Sequence, residues 1–395
     1  MNSTPRRSSP PLRSPEQRRG DPGKSSKISK LETFVVPVPF AHAFKIGSGT
    51  VSEPDRTGDV IFVKLTTDDG ATGWGEQRAL PSWSYETAET IVAVINNNLA
   101  PLLIGTDPFA VESFHRRADR ALSPSVSNGF PFARAAVDLA LHDVAGKLAG
   151  LPVHALLGGA VHTEIPLCSA IGIDTPEAMA ERVRGSAAYH AYKIKIGGDV
   201  AADAAALHAI TEPAAGKPIW LDANQSYRPS SLHRLLQEIE DVPQLYCVEQ
   251  PVPSTDWAGM IKVRERSSLP VAIDEGSFTA ADLARTAVLG GADLVVIKLC
   301  KAGGLRQALR TAAVAKAHGL EILASGLTDC GVGFAAALHL FSLMDLALPA
   351  ELNGPELLAD LYVEGLQITD AIARVPNRPG LGVDVDEERI RGTAR

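Results

Sequence analysis

The sequence predicts an α/β protein, a parallel (β/α) barrel preceded by an α+β module. Three observations predict it. Six short apolar runs follow one another after about residue 165: YKIKI, IWLDAN, YCVEQP, VAIDEG, LVVIKL and EILASG. A polar residue stands near the end of each, Lys195, Asp222, Glu249, Asp274, Lys298 and Ser325, at intervals of 24 to 27 residues, with alanine-rich helical stretches between. A strand-then-helix repeat of that period builds a parallel barrel. No glycine-rich phosphate turn follows the first strand, which weighs against a doubly wound open sheet. The third observation is that residues 30–160 follow a different pattern, paired strands and then long helices.

Taken in order, residues 1–29 are rich in Pro, Ser and Arg and contain no apolar segment. They read as a disordered tail rather than a secretory signal. LETFVVPVPF and DVIFVKLTT read as strands, and Asp68-Asp69-Gly70 turns the chain so that ATGWGE returns beside the second. SYETAETIVAVINNNLAPLL and FARAAVDLALHDVAGKLAG read as helices. In the latter, Ala135, Leu139, His142 and Ala145 recur at helical spacing, and Gly150 is its stop signal. The expected divisions are a tail at 1–29, an α+β module at 30–160, a barrel at 161–355 and a C-terminal segment at 356–395.

Composition narrows the function classes. The 395 residues carry a formal net charge of -8, with 45% hydrophobic and 21% charged residues. That balance argues against a nucleic-acid surface, and no run of 18 apolar residues offers a membrane span. Cys168, Cys247, Cys300 and Cys330 are widely spaced without a C-x-x-C pair. They read as buried free thiols of a reducing compartment, so a cytoplasmic protein is expected.

The chemistry-bearing residues lie where barrel strands end, on the face where such folds place their active sites. Asp222, Glu249 and Asp274 close three consecutive strands. A single acid there is as readily a helix cap or an ion-pair partner. Three brought together repel, and a hard divalent cation removes that cost. Mg2+ is expected, with Mn2+ as the alternative. Lys193 and Lys195 share one face of their strand and flank the acids on one side. Lys298, one strand beyond Asp274, flanks them on the other. Such an arrangement can hold a carboxylate substrate between two bases while the ion stabilises the enediolate left when the α-proton leaves. A lysine base must be partly neutral, and burial, the ion and Lys193 would all lower the pKa of Lys195. Asn224, Ser325 and Glu351 are further candidates for substrate contact, with Glu275, Thr328 and Asp329 beside them. Glu351 falls at the expected end of an eighth strand. His318 precedes its strand and reads as structural, whereas His42 and Trp83 sit in loops of the α+β module that shape the cavity or its surface.

These motifs carry a resemblance. YKIKIGGD with its K-x-K, LDAN, VEQP, AIDEG, IKLCKAGG, the segment ARAAVDLALHDVAGKLAGLPVHALLGG and PGLGVDVDE together resemble the enolase superfamily. Within it they are similar to the muconate lactonizing enzyme subgroup of the mandelate racemase/muconate lactonizing enzyme family, over residues 30 to 390. The resemblance implies a modified (β/α)8 TIM-like barrel under an α+β capping domain to which residues 356–395 return, with Mg2+ on Asp222, Glu249 and Asp274. It implies Lys195 and Lys298 as the acid–base pair, with Lys193 on the substrate carboxylate. The mandelate racemase branch carries a histidine after the seventh strand, where this chain has ASGLTDCG. The resemblance further implies a small-molecule carboxylate substrate and a homo-oligomer. ELNGPELL resembles the muconate cycloisomerase segment E-L-x-G-P, and Glu351 and Asn353 stand where dipeptide epimerases carry D-x-D. The expected activity is therefore a Mg2+-dependent isomerase, either a cycloisomerase or a racemase/epimerase. A dehydratase eliminating water after the same proton abstraction, and a non-catalytic metabolite-binding barrel, are the alternatives.

Overall fold

A computed structural model describes residues 26–47, 49–123 and 128–395, so the expected tail lies outside the described residues up to Ser25. The cap begins with β1 (Ile28–Pro39), β2 (Phe44–Ile46), β3 (Gly49–Ser52), β4 (Thr57–Thr67) and β5 (Thr72–Arg78). Strand β1 starts two residues before the boundary drawn from composition. Strands β1, β4 and β5 form an antiparallel sheet in that order, with Phe34 opposite Phe62. The Asp68-Asp69-Gly70 turn joins β4 to β5, and Gly70 supplies the positive φ of 86° that the turn needs.

The second long helical segment of the sequence is the helix Pro131–Ala149. It lies against β5, and glycines set how closely. A Cβ on Gly75 would stand 1.8 Å from the Ala136 carbonyl oxygen, and one on Gly73 would stand 2.4 Å from that of Ala140. The helix is buried on nearly every side because it is sandwiched between sheet and barrel. Glu86 caps its start by accepting from Phe132 N and Ala133 N. Asp138 then ties it to the barrel by accepting from Leu305 N at 2.7 Å, and to the neighbouring cap helix Val111–Ala121 through His115 Nε2 at 2.7 Å.

After β6 (Glu164–Pro166) come seven parallel strands that run in sequence order around the sheet. They are β7 (Cys168–Ile171), β8 (Ala191–Lys195), β9 (Ile219–Asp222), β10 (Leu245–Glu249), β11 (Val271–Ile273), β12 (Leu294–Ile297) and β13 (Glu321–Ala324). A helix follows each, which gives the barrel-type fold that the spacing predicts. The expected eighth strand is reduced to two residues. Ala350 bridges Leu167 and Glu351 bridges Ser325, both parallel, which closes the ring between β13 and β7. Their hydrogen bonds run to both neighbours, from Cys168 N to Ala350 O at 2.8 Å and from Glu351 N to Ala324 O at 2.9 Å.

Strand parity fills the barrel. Trp220, Cys247, Ala272, Val296 and Leu323 lie two residues before Asp222, Glu249, Asp274, Lys298 and Ser325. They share an inward apolar cluster with Leu294 and Leu348 that forms the floor beneath the strand ends. Residues 356–395 divide their contacts. Strand Ile372–Arg374 pairs with β6, while the last turns reach the cap, where Glu387 meets Lys64 at 2.6 Å and Arg395 N donates to Val35 O. All four cysteines are buried and free. No helix among the described residues is long and apolar enough to cross a membrane.

Candidate active site

Polar residues at the strand ends converge over that floor. Asp222, Glu249 and Asp274 are each fully buried. Asp222 and Glu249 are register partners on β9 and β10, and Asp274 follows β11 directly. The flanking lysines meet opposite ends of this row. Lys195 Nζ donates to Asp222 Oδ2 at 2.5 Å, and Lys298 Nζ donates to Asp274 Oδ2 at 2.7 Å. Sheet order makes that separation unavoidable, because β8 and β12 lie on either side of β9–β10–β11.

Lys193 sits lower, in the floor layer, level with Trp220 across the β8–β9 register. Its ammonium lies 4.2 Å from the indole centre and 3.0, 2.9 and 3.5 Å from Asp222, Glu249 and Glu351. Burial works against its charge, but those carboxylates overcome burial and hold its pKa well above the lysine range. For Lys298 burial likewise pulls down and Asp274 prevails, so its pKa is raised.

The acids divide by how many lysines each faces. Burial pushes all three up. Lys193 and Lys195 bring Asp222 well below the carboxylate range, and Lys298 and Lys301 do the same for Asp274. Glu249, in the middle, has Lys193 alone within ion-pair distance. Burial and the neighbouring Asp222 charge therefore leave it well above the usual value.

The donor set suits a hard divalent cation, being three carboxylates without thiol or imidazole. Glu249 Oε2 and Asp274 Oδ1 accept no hydrogen bond of proper geometry, although Lys193 and Lys301 stand 2.9 and 2.6 Å away. Among the described residues no three acids, histidines or cysteines are spaced as ligands of one ion, and the Lys193 ammonium pairs with both Asp222 and Glu249.

The other candidates fall at different depths. Asn224, at a positive φ of 40°, accepts from Lys195 at 3.0 Å and donates to Glu275 at 2.9 Å. Glu275, pushed up to about 7 by burial and by Asp274, also receives the Trp83 indole N–H. Glu351 and Thr328 line a small cavity of about 40 Å³ together with Lys193, Lys195 and Lys298. Ser325 stands behind Glu351, donating to its Oε2 at 2.5 Å. Asp329 is held back by Leu327 N. Trp83 does reach the cavity, its ring 4.6 Å from Lys298 Nζ, whereas His42 is exposed and gives only its carbonyl, to Ser52. His318 ends a helix on the opposite face of the barrel.

Three residues that the sequence reading passed over belong to this site. Trp220 is legible from parity, two residues before Asp222. Phe44, which roofs the cavity 6.0 Å from Lys195, has no sequence signal beyond its apolar character. Lys301 donates to Asp274 O and Val296 O and pairs with Asp274 Oδ1, clamping that acid from behind.

A seven-stranded parallel ring closed by a bridging eighth segment, with acids on three successive strands between two lysine-bearing ones, defines a class of enzyme barrel. Comparison with known proteins gives the same class. Residues 30–158 match the mandelate racemase/muconate lactonizing enzyme N-terminal domain, and residues 176–389 match the enolase C-terminal domain-like family. The chain belongs to the mandelate racemase/muconate lactonizing enzyme family of the enolase superfamily. It is 30% identical to an N-succinyl-L-Arg/Lys racemase of Bacillus cereus over 92% of this chain and 97% of that protein. The crystal structure of that racemase superposes with a TM-score of 0.87 at 29% identity, covering 93% and 98% of the two chains. A chloromuconate cycloisomerase of Cupriavidus necator is 31% identical over 93% of this chain and 99% of its own length. The dipeptide epimerase of Enterococcus faecalis, crystallised with Mg and the dipeptide L-Leu-L-Tyr, is 28% identical. Its TM-score is 0.82 over 91% of this chain and all of that one.

Proposed function

We propose that the chain is a Mg2+-dependent isomerase that abstracts the α-proton of a small carboxylate by way of an enediolate, acting as a cycloisomerase or a racemase/epimerase. The observation that carries this reading is the placement of Lys195 and Lys298 at opposite ends of the Asp222–Glu249–Asp274 row. Those three acids would hold the cation, with Mn2+ as a substitute, and the bound ion would supply positive charge to the enediolate oxygens.

The remaining work falls to the chain's own side chains. Lys193, whose raised pKa keeps it protonated, is suited to binding a carboxylate rather than to accepting a proton. Lys195 Nζ takes the α-proton from one face, and Lys298 Nζ delivers or takes one at the other. Asn224 steadies Lys195, and the Trp83 ring steadies Lys298. The raised pKa of Lys298 comes from Asp274, so neutralising that acid removes the cause and frees the amine to act as a base. Phe44, Ile46, Leu80 and Leu327 line the cavity with apolar surface, which excludes water from a carbanion-like species.

The test is to screen muconates, N-acyl amino acids and dipeptides in D2O with Mg2+, reading mass change and α-deuterium. Exchange or isomerisation that chelator abolishes supports the reading. Loss of water from the product would reassign the chain as a dehydratase. Full activity retained in both Lys195→Ala and Lys298→Ala would overturn it.

A further inference from the structure

Arg78 ends β5 with its side chain 1% exposed. Its five N–H donors find two partners, both neutral and both long. Nη2 donates to Val51 O at 3.2 Å and Nη1 to Leu327 O at 3.5 Å, while Nε has none. No carboxylate of the described residues is in ion-pair contact with it, and the Phe40 ring lies 4.9 Å from its guanidinium carbon. Burial pulls its pKa down to about 10, with Asp329 opposing from a distance. A buried cation without a counter-ion is costly, and a carboxylate brought to it would form a strong charge-assisted pair.

The location says which ligand. Arg78 lines a cavity of about 360 Å³ that shares Val51 and Leu80 with the cavity holding the three lysines. Its two hydrogen-bond partners, Val51 and Leu327, are both walls of that lysine cavity. Acids on the rim are answered elsewhere, Glu53 by Arg56 and Asp59 by Arg395, and Glu89 is exposed. Among the described residues Arg78 is left without an ion-pair partner, Asp329 acting on it only from a distance.

We infer that Arg78 is the anchor for a second anionic group, so that the substrate is an elongated dianion with one carboxylate at the lysines and a distal carboxylate on this guanidinium. The inference rests on the proton-abstraction reading for the first carboxylate and adds the second end. It distinguishes dicarboxylates and N-acyl amino acids with an acidic acyl chain from neutral-ended analogues of equal length.

The experiment uses the Mg2+-loaded full chain and two matched pairs of probes: cis,cis-muconate with its monomethyl ester, and N-succinyl amino acids with N-butanoyl analogues. Calorimetric affinity and the KM of turnover in D2O, read as α-exchange for the acyl amino acids and as deuterium incorporated on lactonisation for the muconates, are measured for wild type, Arg78→Gln and Arg78→Lys. In wild type the dianion of at least one pair binds about 10-fold tighter, as one charge-assisted contact requires. Arg78→Gln abolishes that ratio by raising KM for the dianion alone, and Arg78→Lys keeps part of it. A wild-type ratio near one, absence of binding by every probe, or a ratio that survives Arg78→Gln overturns the inference. So does an equal loss for both members, which marks Arg78 as a strut between loops. If Arg78→Gln does not fold, the wild-type ratio and Arg78→Lys decide. Exchange without dianion preference sinks this inference and leaves the isomerase reading standing. Dianion preference without any exchange does the reverse.

Discussion

Lys193→Met isolates the electrostatic design of the site. Methionine is close to lysine in volume, so little of the effect comes from a void. The lost ammonium lies within 3.0 Å of both Asp222 and Glu249 and 3.5 Å from Glu351, all buried. Removing one partner from a buried pair costs about 3–5 kcal/mol, and the lost indole contact at 4.2 Å adds about 1 kcal/mol. Glu249, already raised by burial and Asp222, can take up a proton and offset part of this. A net loss of about 3–5 kcal/mol is expected in urea unfolding with chelator present. Mg2+ competes with no ammonium there in the variant, so a given concentration should stabilise the variant more than wild type. Saturation at about 100 Kd would return about 2.7 kcal/mol. A loss below about 1 kcal/mol in chelator, or no Mg2+ response in the variant, would refute the idea that Lys193 and a cation answer the same charges.

Three further outcomes are expected. His339 is buried, which takes its pKa down to about 4, with the Leu381 carbonyl opposing and His154 assisting. Between about pH 6.5 and pH 4 the unfolded chain therefore binds a proton that the native chain does not. Stability should fall as pH drops through that window, by up to about 3 kcal/mol, and His339→Gln should flatten the slope in denaturation at several pH values. Gly75→Ala places a methyl 1.8 Å from the Ala136 carbonyl and should cost about 1–3 kcal/mol or more by urea unfolding, whereas Gly185→Ala, which meets nothing, should not destabilise. Trp83→Leu removes the ring beside Lys298 and the donor to Glu275. It also strips the ring from its stacks on Phe132 and Phe278, so a stability loss of about 1–3 kcal/mol is expected beside slower α-proton exchange in the folded variant, and unaltered exchange would count against a role for Trp83 in holding Lys298.

Much of this was legible because a barrel writes its register into the sequence. The recurrence of a charged or hydroxyl residue at each strand end located Lys195, Asp222, Glu249, Asp274, Lys298 and Ser325 on one face without any structure. Sheet order then fixed which lysine lies on which side. Spacing alone placed Glu351 at the end of an eighth strand, but not how short that strand is, because two bridging residues, Ala350 and Glu351, are too few to carry a periodic signal. Lys301 escaped for a different reason. The chain leaves β12 at Ile297 and enters the short helix Leu299–Ala302, so the side-chain period changes from 2 to 3.6 between Lys298 and Lys301. Strand alternation cannot place it on Asp274. Arg78 likewise reads as an ordinary strand-end arginine. That it has no acid partner is a property of loops remote in sequence, the β3 hairpin and the segment around Leu327.

The central claim is that two amines serve opposite faces of one substrate carbon. Its most direct measurement is α-deuterium exchange of each enantiomer of a chiral substrate, separately, in Lys195→Ala and Lys298→Ala. The account predicts that each variant still exchanges one enantiomer and fails on the other, with the preference reversed between the two variants. Both variants losing the same enantiomer would contradict it.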